Sequence, residues 1–306
     1  MKKQMILLFF ICLGLTTTTE AQKFYIRGGA GFGISATPEI FVYQNVERDP
    51  SSGDRIKQTT ISGSFGSGPT FRLGGGYMIT EYFGIDLEFY YLHGMKQDFG
   101  STSQDGIYTR KTTGRTIQAR MSPSLIVKAP AGTKFAPYAK FGVVLPFVGK
   151  QYLETEQEIQ HTDPTYINYK KVVEIDGAFS VGFESAVGLQ YNITEKFGVY
   201  LEMMYTGLRV KAAKGAITQE QFFNEDGSVK QDNLEGRPVG LSEFRFVDEL
   251  STDNSNMNST AAAGEGISYK ILPNPNGYDD SKPLDIPAQN SNYSAFGLNL
   301  GVKYGF

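Results

Sequence analysis

The chain has 306 residues, including 35 glycines, 18 tyrosines and 22 phenylalanines, and it contains no tryptophan. Its 29 Lys and Arg against 32 Asp and Glu give a formal net charge of −3, which excludes the basic surface that nucleic-acid binding requires. No apolar run approaches the ~18 to 20 residues that a membrane-spanning helix needs, so a polytopic helical protein is also excluded.

The N-terminus has the layout of a secretory signal peptide. Lys2 and Lys3 precede a short apolar stretch, and small residues including Thr19 and Ala21 lead up to Gln22. An export signal typically has a positively charged start, a short apolar core and small residues before its cleavage site. The sequence therefore predicts a signal peptide over 1–21 and a mature chain over 22–306. Cys12, the one cysteine, lies inside the signal, so no disulfide or thiolate metal site is expected in the mature chain.

Beyond the signal, the dominant sequence period is two. Between Phe83 and Tyr91, for example, apolar side chains at every second position alternate with Gly84, Asp86 and Glu88. Alternation over about ten residues is typical of a β-strand, because successive side chains point to opposite faces. Eight such strands are predicted near residues 23–35, 68–79, 83–94, 114–128, 134–148, 177–193, 197–212 and 292–306.

A repeated motif predicts where tight turns fall. Thr80-Glu81-Tyr-Phe83-Gly84 recurs as Thr194-Glu195-Lys-Phe197-Gly198, and 129–133 is a third short connection. The other four connections are long and lie near 36–67, 95–113, 149–176 and 213–291. Tight turns that alternate with long polar loops indicate an antiparallel up-and-down meander with one smooth end and one end carrying four long loops.

The long loops contain candidate strands of their own. Residues 39–46 are expected to pair with 55–61 as a hairpin. Two patches, 244–247 and 267–272, would raise the strand count to ten if they joined the main sheet. Eight is the preferred number.

The distribution of side chains between the two faces separates a soluble β-sandwich from a membrane barrel. The face opposite the apolar one is rich in glycine, which weakens an exposed strand but suits a narrow interior. On the apolar face, aromatic residues recur at two heights eight residues apart, about 21 Å along the membrane normal for tilted strands. Both features favour an all-β, eight-stranded antiparallel transmembrane β-barrel with a polar interior.

The glycine-rich face also carries nine charged residues at mid-strand positions. Five are basic and four acidic, a near balance that an enclosed space requires because a lone buried charge is costly. The alternative is a set of solvated surface charges. We predict a lumen charge network of Arg27, Arg72, Asp86, Glu88, Arg120, Lys140, Glu184, Glu202 and Lys303.

The chain closes with Lys303-Tyr304-Gly305-Phe306, an aromatic ending after an alternating segment. Together with the export signal and the two Thr-Glu-x-Phe-Gly turns, this ending resembles outer-membrane β-barrels of the OmpA-like or OmpW-like kind. The resemblance covers 22–306 and implies short periplasmic turns, extracellular loops and a Gram-negative outer membrane. It also implies that the barrel-assembly machinery recognises the last strand through Tyr304 and Phe306, and that outer-membrane lipid surrounds the wall.

No catalytic site is predicted. Only His93 and His161 are available as histidine bases, and His93 lies at a strand end with Asp98 and Asp105 nearby in sequence. Neither metal-ligand spacing nor a phosphate-binding loop occurs, so no cofactor is expected.

The leading functional hypothesis is a structural barrel with a plugged, charged lumen that presents its loops outward, with any extracellular ligand expected at the loops. One alternative is a narrow OmpW-like porin that passes small or apolar solutes. A second alternative is a hydrolase at the rim.

Overall fold

A computed structural model describes residues 24–36, 39–129, 134–159, 168–224, 226–251, 255–256 and 279–306. The predicted signal peptide (1–21), most of the connection at 129–133, His161 and the patch at 267–272 lie outside these ranges. The strands are β1 (Phe24–Ser35), β2 (Glu39–Arg48), β3 (Arg55–Gly63), β4 (Gly68–Met78), β5 (Phe83–His93), β6 (Gln97–Gln104), β7 (Tyr108–Lys128), β8 (Phe135–Ile159), β9 (Asn168–Gly177), β10 (Gly182–Asn192), β11 (Phe197–Gly207), β12 (Arg209–Phe223), β13 (Val229–Asp232), β14 (Glu243–Val247), β15 (Leu284–Pro287), β16 (Asn290–Asn292) and β17 (Ala295–Gly305).

Eight of these strands close into a barrel. Each pairs antiparallel with its neighbours in the circular order β1, β4, β5, β7, β8, β10, β11, β17 and back to β1. Closure leaves no unpaired sheet edge, which a strand protein needs in order to cross a lipid bilayer. The predicted eight-stranded antiparallel barrel is confirmed.

The wall has an apolar exterior and a polar interior. Along β5 every second residue is exposed, from Phe83 to His93, while the intervening Asp86, Glu88 and Tyr90 are buried. The exposed residues from Phe83 to Tyr91 are apolar, as expected for a surface that contacts lipid. The orientation predicted from the alternating pattern is therefore the one the structure shows.

Two barrel strands are much longer than the sequence predicts. β7 has 21 residues and β8 has 25, and their pairing continues from the barrel out to Tyr108 opposite Ile159. The outward apolar residues end earlier, which is why the pattern predicted shorter strands. Threonines sustain the extension, since β-branched residues favour strands, and the hydroxyls of Thr112 and Thr155 lie 3.0 Å apart across it.

A second sheet continues from these extensions. β6, β7, β8, β9, β12 and β14 lie side by side. At the two ends, β2 pairs parallel with β6 and β15 pairs parallel with β14. The predicted hairpin is present as β2 and β3, and the predicted strand at 244–247 is β14, which lies in this second sheet and not in the barrel wall. The predicted strand 177–193 begins later than expected, as β10 at Gly182. The predicted strand 197–212 is divided at Leu208 into β11 and the start of β12.

One short helix, α1 (Val239–Ser242), lies in the last long loop. Within the described ranges, no helix has the length and apolar character needed to cross a membrane.

Candidate functional site: the charged barrel interior

All nine predicted lumen residues point into the barrel, and every barrel strand supplies at least one of them. Eight form a continuous set of ion pairs and are at most 5% exposed. We call this set the ion cluster: Arg27, Arg72, Asp86, Glu88, Arg120, Lys140, Glu184 and Glu202. Four bases meet four acids, a balance that offsets the cost of removing these charges from water.

Glu202 on β11 lies at the centre of the ion cluster. One carboxylate oxygen accepts hydrogen bonds from Arg27 at 3.1 Å and from the Tyr138 hydroxyl at 3.0 Å. The Lys140 ammonium lies 3.2 Å from the same oxygen, and the other oxygen accepts from Arg72 at 2.8 Å. Three cations and one phenol from three different strands therefore hold a single carboxylate.

Glu88 on β5 repeats this arrangement from the opposite side of the lumen. Lys140 donates to it at 2.7 Å and Arg72 at 3.0 Å, and Arg27 also contacts it. Arg72, Lys140 and Arg27 each bridge the two carboxylates, so Glu88 and Glu202 are joined across the barrel through shared cations.

The extracellular half of the ion cluster contains two arginines that both contact one aromatic ring. The guanidinium of Arg120 lies 3.8 Å from the centre of the Tyr90 ring, and that of Arg72 lies 5.0 Å from it. Both arginines reach Glu184, at 3.5 and 3.3 Å, and Arg120 donates to the Thr206 hydroxyl at 2.9 Å. Cation–π contacts of this kind stabilise a desolvated guanidinium.

At the periplasmic end the pairing changes. The Tyr25 hydroxyl donates to Asp86 at 2.5 Å, and Arg27 lies 3.8 Å from the same carboxylate. Lys303, the ninth predicted residue, donates to Gln190 at 3.2 Å and lies 4.0 Å from the centre of the Tyr25 ring. It therefore connects to the ion cluster through Tyr25, without a direct ion pair to a described carboxylate.

Apolar groups fill the lumen above and below the ion cluster. Toward the periplasm, Tyr25, Met78, Ile126, Tyr138 and Tyr200 pack together. The glycines of this face give them room. A Cβ on Gly188 would lie 2.3 Å from the Tyr138 ring, and one on Gly301 would lie 2.4 Å from that of Tyr200.

The extracellular mouth is closed by an aromatic cap of Phe65, Phe99 and Tyr293. The ring of Phe65 lies 5.0 Å from that of Phe99 and 5.5 Å from that of Tyr293. All three are buried and pack with Val144 and Leu208 of the wall. Sequence analysis did not identify this cap, because Phe65 and Phe99 lie in predicted loops that show no alternation.

His93 lies on the outer face of the rim and is exposed to solvent, as are Asp98 and Asp105. Asp98 forms an ion pair with Lys111 at 2.8 Å. In the described part of the chain, no group of three or more His, Cys, Asp or Glu side chains is placed to hold a metal ion.

A cavity of about 560 Å³ opens on the outer surface beside His93, and its charged residues are Lys96, Arg115, Glu154 and Lys170. Glu154 contacts both lysines. Hydrogen bonds from Lys170 and Lys96 lower the pKa of Glu154 to about 2, and Glu154 in turn raises the pKa of Lys170.

A closed barrel with an apolar belt outside and ion pairs inside defines an integral β-barrel of the bacterial outer membrane. A family profile described as "Outer membrane protein beta-barrel domain" matches residues 5–236, and the chain belongs to that family. It is accordingly a protein of the Gram-negative outer membrane. No curated protein matches it.

Three solved structures illustrate what the fold is similar to. Neisserial surface protein A (NspA) shares 11% identity at a TM-score of 0.36, with 94% of this chain and 100% of that chain covered. OprG from Pseudomonas aeruginosa shares 12% identity at a TM-score of 0.39, with 94% and 97% covered. AlkL, solved in DMPC bilayers, shares 12% identity at a TM-score of 0.37, with 95% and 93% covered.

Proposed function

We propose that this protein is a structural and surface-presenting outer-membrane barrel whose lumen is plugged. The observation that carries the proposal is the ion cluster, in which eight charged side chains from seven strands are buried and paired across the lumen. An eight-stranded barrel has an interior just wide enough for side chains, so this packing leaves no continuous aqueous path. The aromatic cap adds a second closure at the extracellular mouth.

The second sheet is the part of the protein that is presented outside the cell. It extends the wall through β7 and β8 and adds strands from all four long loops, so it forms a structured extracellular surface. An extracellular ligand would bind there, while lipid surrounds the barrel below it. We propose a non-enzymatic role, because no carboxylate among the described residues forms a hydrogen bond or ion pair with exposed His93, and Asp98 is paired with Lys111.

Electrical recording in planar bilayers tests the plug. The purified protein should give no steady single-channel current. Arg72→Ala and Glu184→Ala each remove a bridging group and should produce intermittent small conductance, whereas Lys111→Ala on the exposed extension should leave the bilayer silent. Large steady currents from the unaltered protein would refute the plugged lumen.

The non-enzymatic role is tested separately by incubation with phospholipid, glycolipid and peptide substrates. No hydrolysis is expected. An activity that disappears in His93→Ala would replace this proposal with a rim hydrolase.

One observation favours a second candidate, a narrow path for small apolar solutes through the wall. β8 pairs with β10 up to Val144 opposite Gly182, and with β9 from Lys150 opposite Asp176. Within the described residues, no ladder pair joins 145–149 to this side of the wall. The outward side chains at this gap, Phe147 and Phe179 among them, are exposed and apolar.

Leu208 and Val210 close the gap from within, since a Cβ on Gly177 would lie 2.5 Å from Val210 and one on Gly182 would lie 2.9 Å from Leu208. If the gap is a transport path, Val210→Ala should increase uptake of a small apolar solute into proteoliposomes. Uptake equal to that of protein-free liposomes, in both the unaltered protein and the variant, would eliminate this candidate.

A further inference from the structure

The cavity on the outer surface lies where the barrel leaves the membrane. On β5, His93 follows Phe89 and Tyr91 on the same outward face, one position further toward the extracellular end. His93 pairs with Ile117 of β7, and Arg115 is the next outward residue along that strand. Each step of two residues along a tilted strand rises about 5 Å along the membrane normal.

The lipid-facing aromatics end at Tyr91, so the cavity occupies the layer directly above the hydrocarbon. The polar headgroup layer of a bilayer is about 5 to 7 Å thick on each side. His93 and Arg115 therefore lie at the height of headgroups, and the apolar wall beneath them contacts acyl chains.

The cavity carries an excess of positive charge. Lys96, Arg115 and Lys170 face one lining carboxylate, that of Glu154, which leaves an excess of two positive charges. Glu154 contacts both lysines, and Glu156 at the edge lies 3.5 Å from Lys170. These contacts offset part of the charge of the two lysines.

Arg115 contacts an aromatic ring, whereas the two lysines contact a carboxylate. Its guanidinium lies 5.2 Å from the centre of the Tyr152 ring, on the residue paired with it across β7 and β8. No described carboxylate lies within 4.0 Å of it. A guanidinium that contacts a ring and no described carboxylate keeps N–H donors available, and two of them match two oxygens of a phosphate.

We propose that this cavity binds the phosphate-bearing headgroup of a lipid in the outer leaflet. Arg115 would hold the phosphate oxygens, with Lys96 and Lys170 supplying attraction from the opposite side. Met95, Pro69 and Val172 line the same cavity and would contact the first carbons of the lipid. The acyl chains would then continue down the exposed apolar face of β4 and β5, so a lipid fits this position better than free phosphate.

Native mass spectrometry of the full-length protein in detergent, titrated with phosphatidic acid, tests the proposal. Phosphatidic acid should bind in preference to phosphatidylcholine. Arg115→Gln should weaken its binding about fivefold, the effect of one basic group near a membrane surface. Lys111→Gln, an exposed lysine on the same strand that does not line the cavity, is the matched control and should bind as the unaltered protein does.

A second variant should change the affinity for phosphatidic acid in the opposite direction. Glu154→Gln removes the lining carboxylate that pairs with both lysines, so phosphatidic acid should bind more tightly, again by about fivefold. A change in the same direction for Arg115→Gln and Glu154→Gln would indicate loss of structure, which circular dichroism checks.

Two results would overturn the assignment. One is equal retention of phosphatidylcholine and phosphatidic acid with no effect of Arg115→Gln. The other is full displacement of phosphatidic acid by millimolar inorganic phosphate, which would make the cavity a free-phosphate site. Neither result bears on whether the lumen conducts.

Discussion

Among single residues, Glu202 is one of two carboxylates inside the barrel that are each paired with three cations. It is 0% exposed and is held by Arg27, Arg72 and Lys140. Removing one partner of a buried ionic group leaves the others uncompensated, and this is more destabilising than losing a surface pair.

Glu202→Gln should therefore lower the free energy of unfolding by about 3 to 5 kcal/mol, because three cations lose a shared carboxylate. Urea unfolding in lipid vesicles measures the change. Glu195→Gln, at an exposed position in a periplasmic turn, is the control and should shift stability by less than about 0.5 kcal/mol. Equal effects of the two substitutions would contradict the importance of the ion cluster for stability.

The glycines of β1 face two different environments. A Cβ on Gly31 would lie 2.2 Å from the Asn299 side chain and 2.4 Å from the carbonyl oxygen of Leu298. A Cβ on Gly28, on the lipid side of the same strand, would lie 3.7 Å from its nearest neighbour, an ordinary contact.

Gly31→Ala should therefore destabilise the barrel by about 1 to 3 kcal/mol through overpacking, whereas Gly28→Ala should be nearly neutral. The same urea experiment compares the two. The reverse order of effects would show that the faces of β1 have been assigned wrongly.

Among the elements, the two Thr-Glu-x-Phe-Gly turns show how local sequence determines local structure. The Thr80 hydroxyl accepts the backbone N–H of Phe83 at 3.0 Å, and the Thr194 hydroxyl accepts that of Phe197 at 2.9 Å. In both turns the backbone also closes from the residue before the threonine to the phenylalanine, at 2.8 and 2.9 Å. A short polar side chain that accepts a nearby N–H stabilises a tight turn without help from the rest of the fold.

The connection between β5 and β6 is held to the second sheet by the ion pair between Lys96 and Glu154, and this contact should depend on pH. The pKa of Glu154 is lowered from 4.5 to about 2, so its contribution is fully present above about pH 4.5 and is lost as the pH falls toward 2. A nitroxide on Met95→Cys should be equally immobile from pH 7 to 5 and become mobile between pH 4 and 2.

The same label in a Glu154→Gln background should show no transition in that range. A transition that persists in this background would assign the change to another acid.

The end of the last strand, β17, contacts the start of β1. Phe306 donates its backbone N–H to Phe24 at 3.0 Å, and its ring lies 5.3 Å from that of Tyr304 and 6.4 Å from that of Phe24. We propose that Tyr304 and Phe306 also serve as the signal read by the barrel-assembly machinery. Both rings are exposed on the outer wall, where such a factor would reach them.

Phe306→Ala should reduce the fraction of barrel assembled in cells several-fold. Comparison of boiled and unboiled samples on a gel measures that fraction, because a closed barrel resists unfolding by detergent until it is heated. Phe147→Ala is the control, since the two phenylalanines are equally exposed, at 60% and 59%. Equal assembly of both variants would mean that Phe306 has no special role.

At the scale of the whole molecule, closure of β1 onto β17 converts eight local patterns into one enclosed volume. Arg27 pairs with Lys303 in that register, and Gly29 pairs with Gly301. Large and small inward residues thereby alternate along this strand pair. An enclosed volume this narrow makes every inward charge depend on a partner from another strand.

The sequence by itself determined the number of barrel strands, the face that each side chain takes and the two motif-defined turns. These features follow from a period of two and from hydrogen bonds between residues a few positions apart, so they need no knowledge of distant contacts. The same period placed all nine charges in the lumen, including Arg72 and Glu202, and only the tertiary structure decided which of them meet. Contacts across the lumen depend on strand register and tilt, which no local pattern encodes. The aromatic cap and the surface cavity around Arg115 likewise came from the tertiary structure, because loops without a period bring Phe65, Phe99 and Lys96 to the wall.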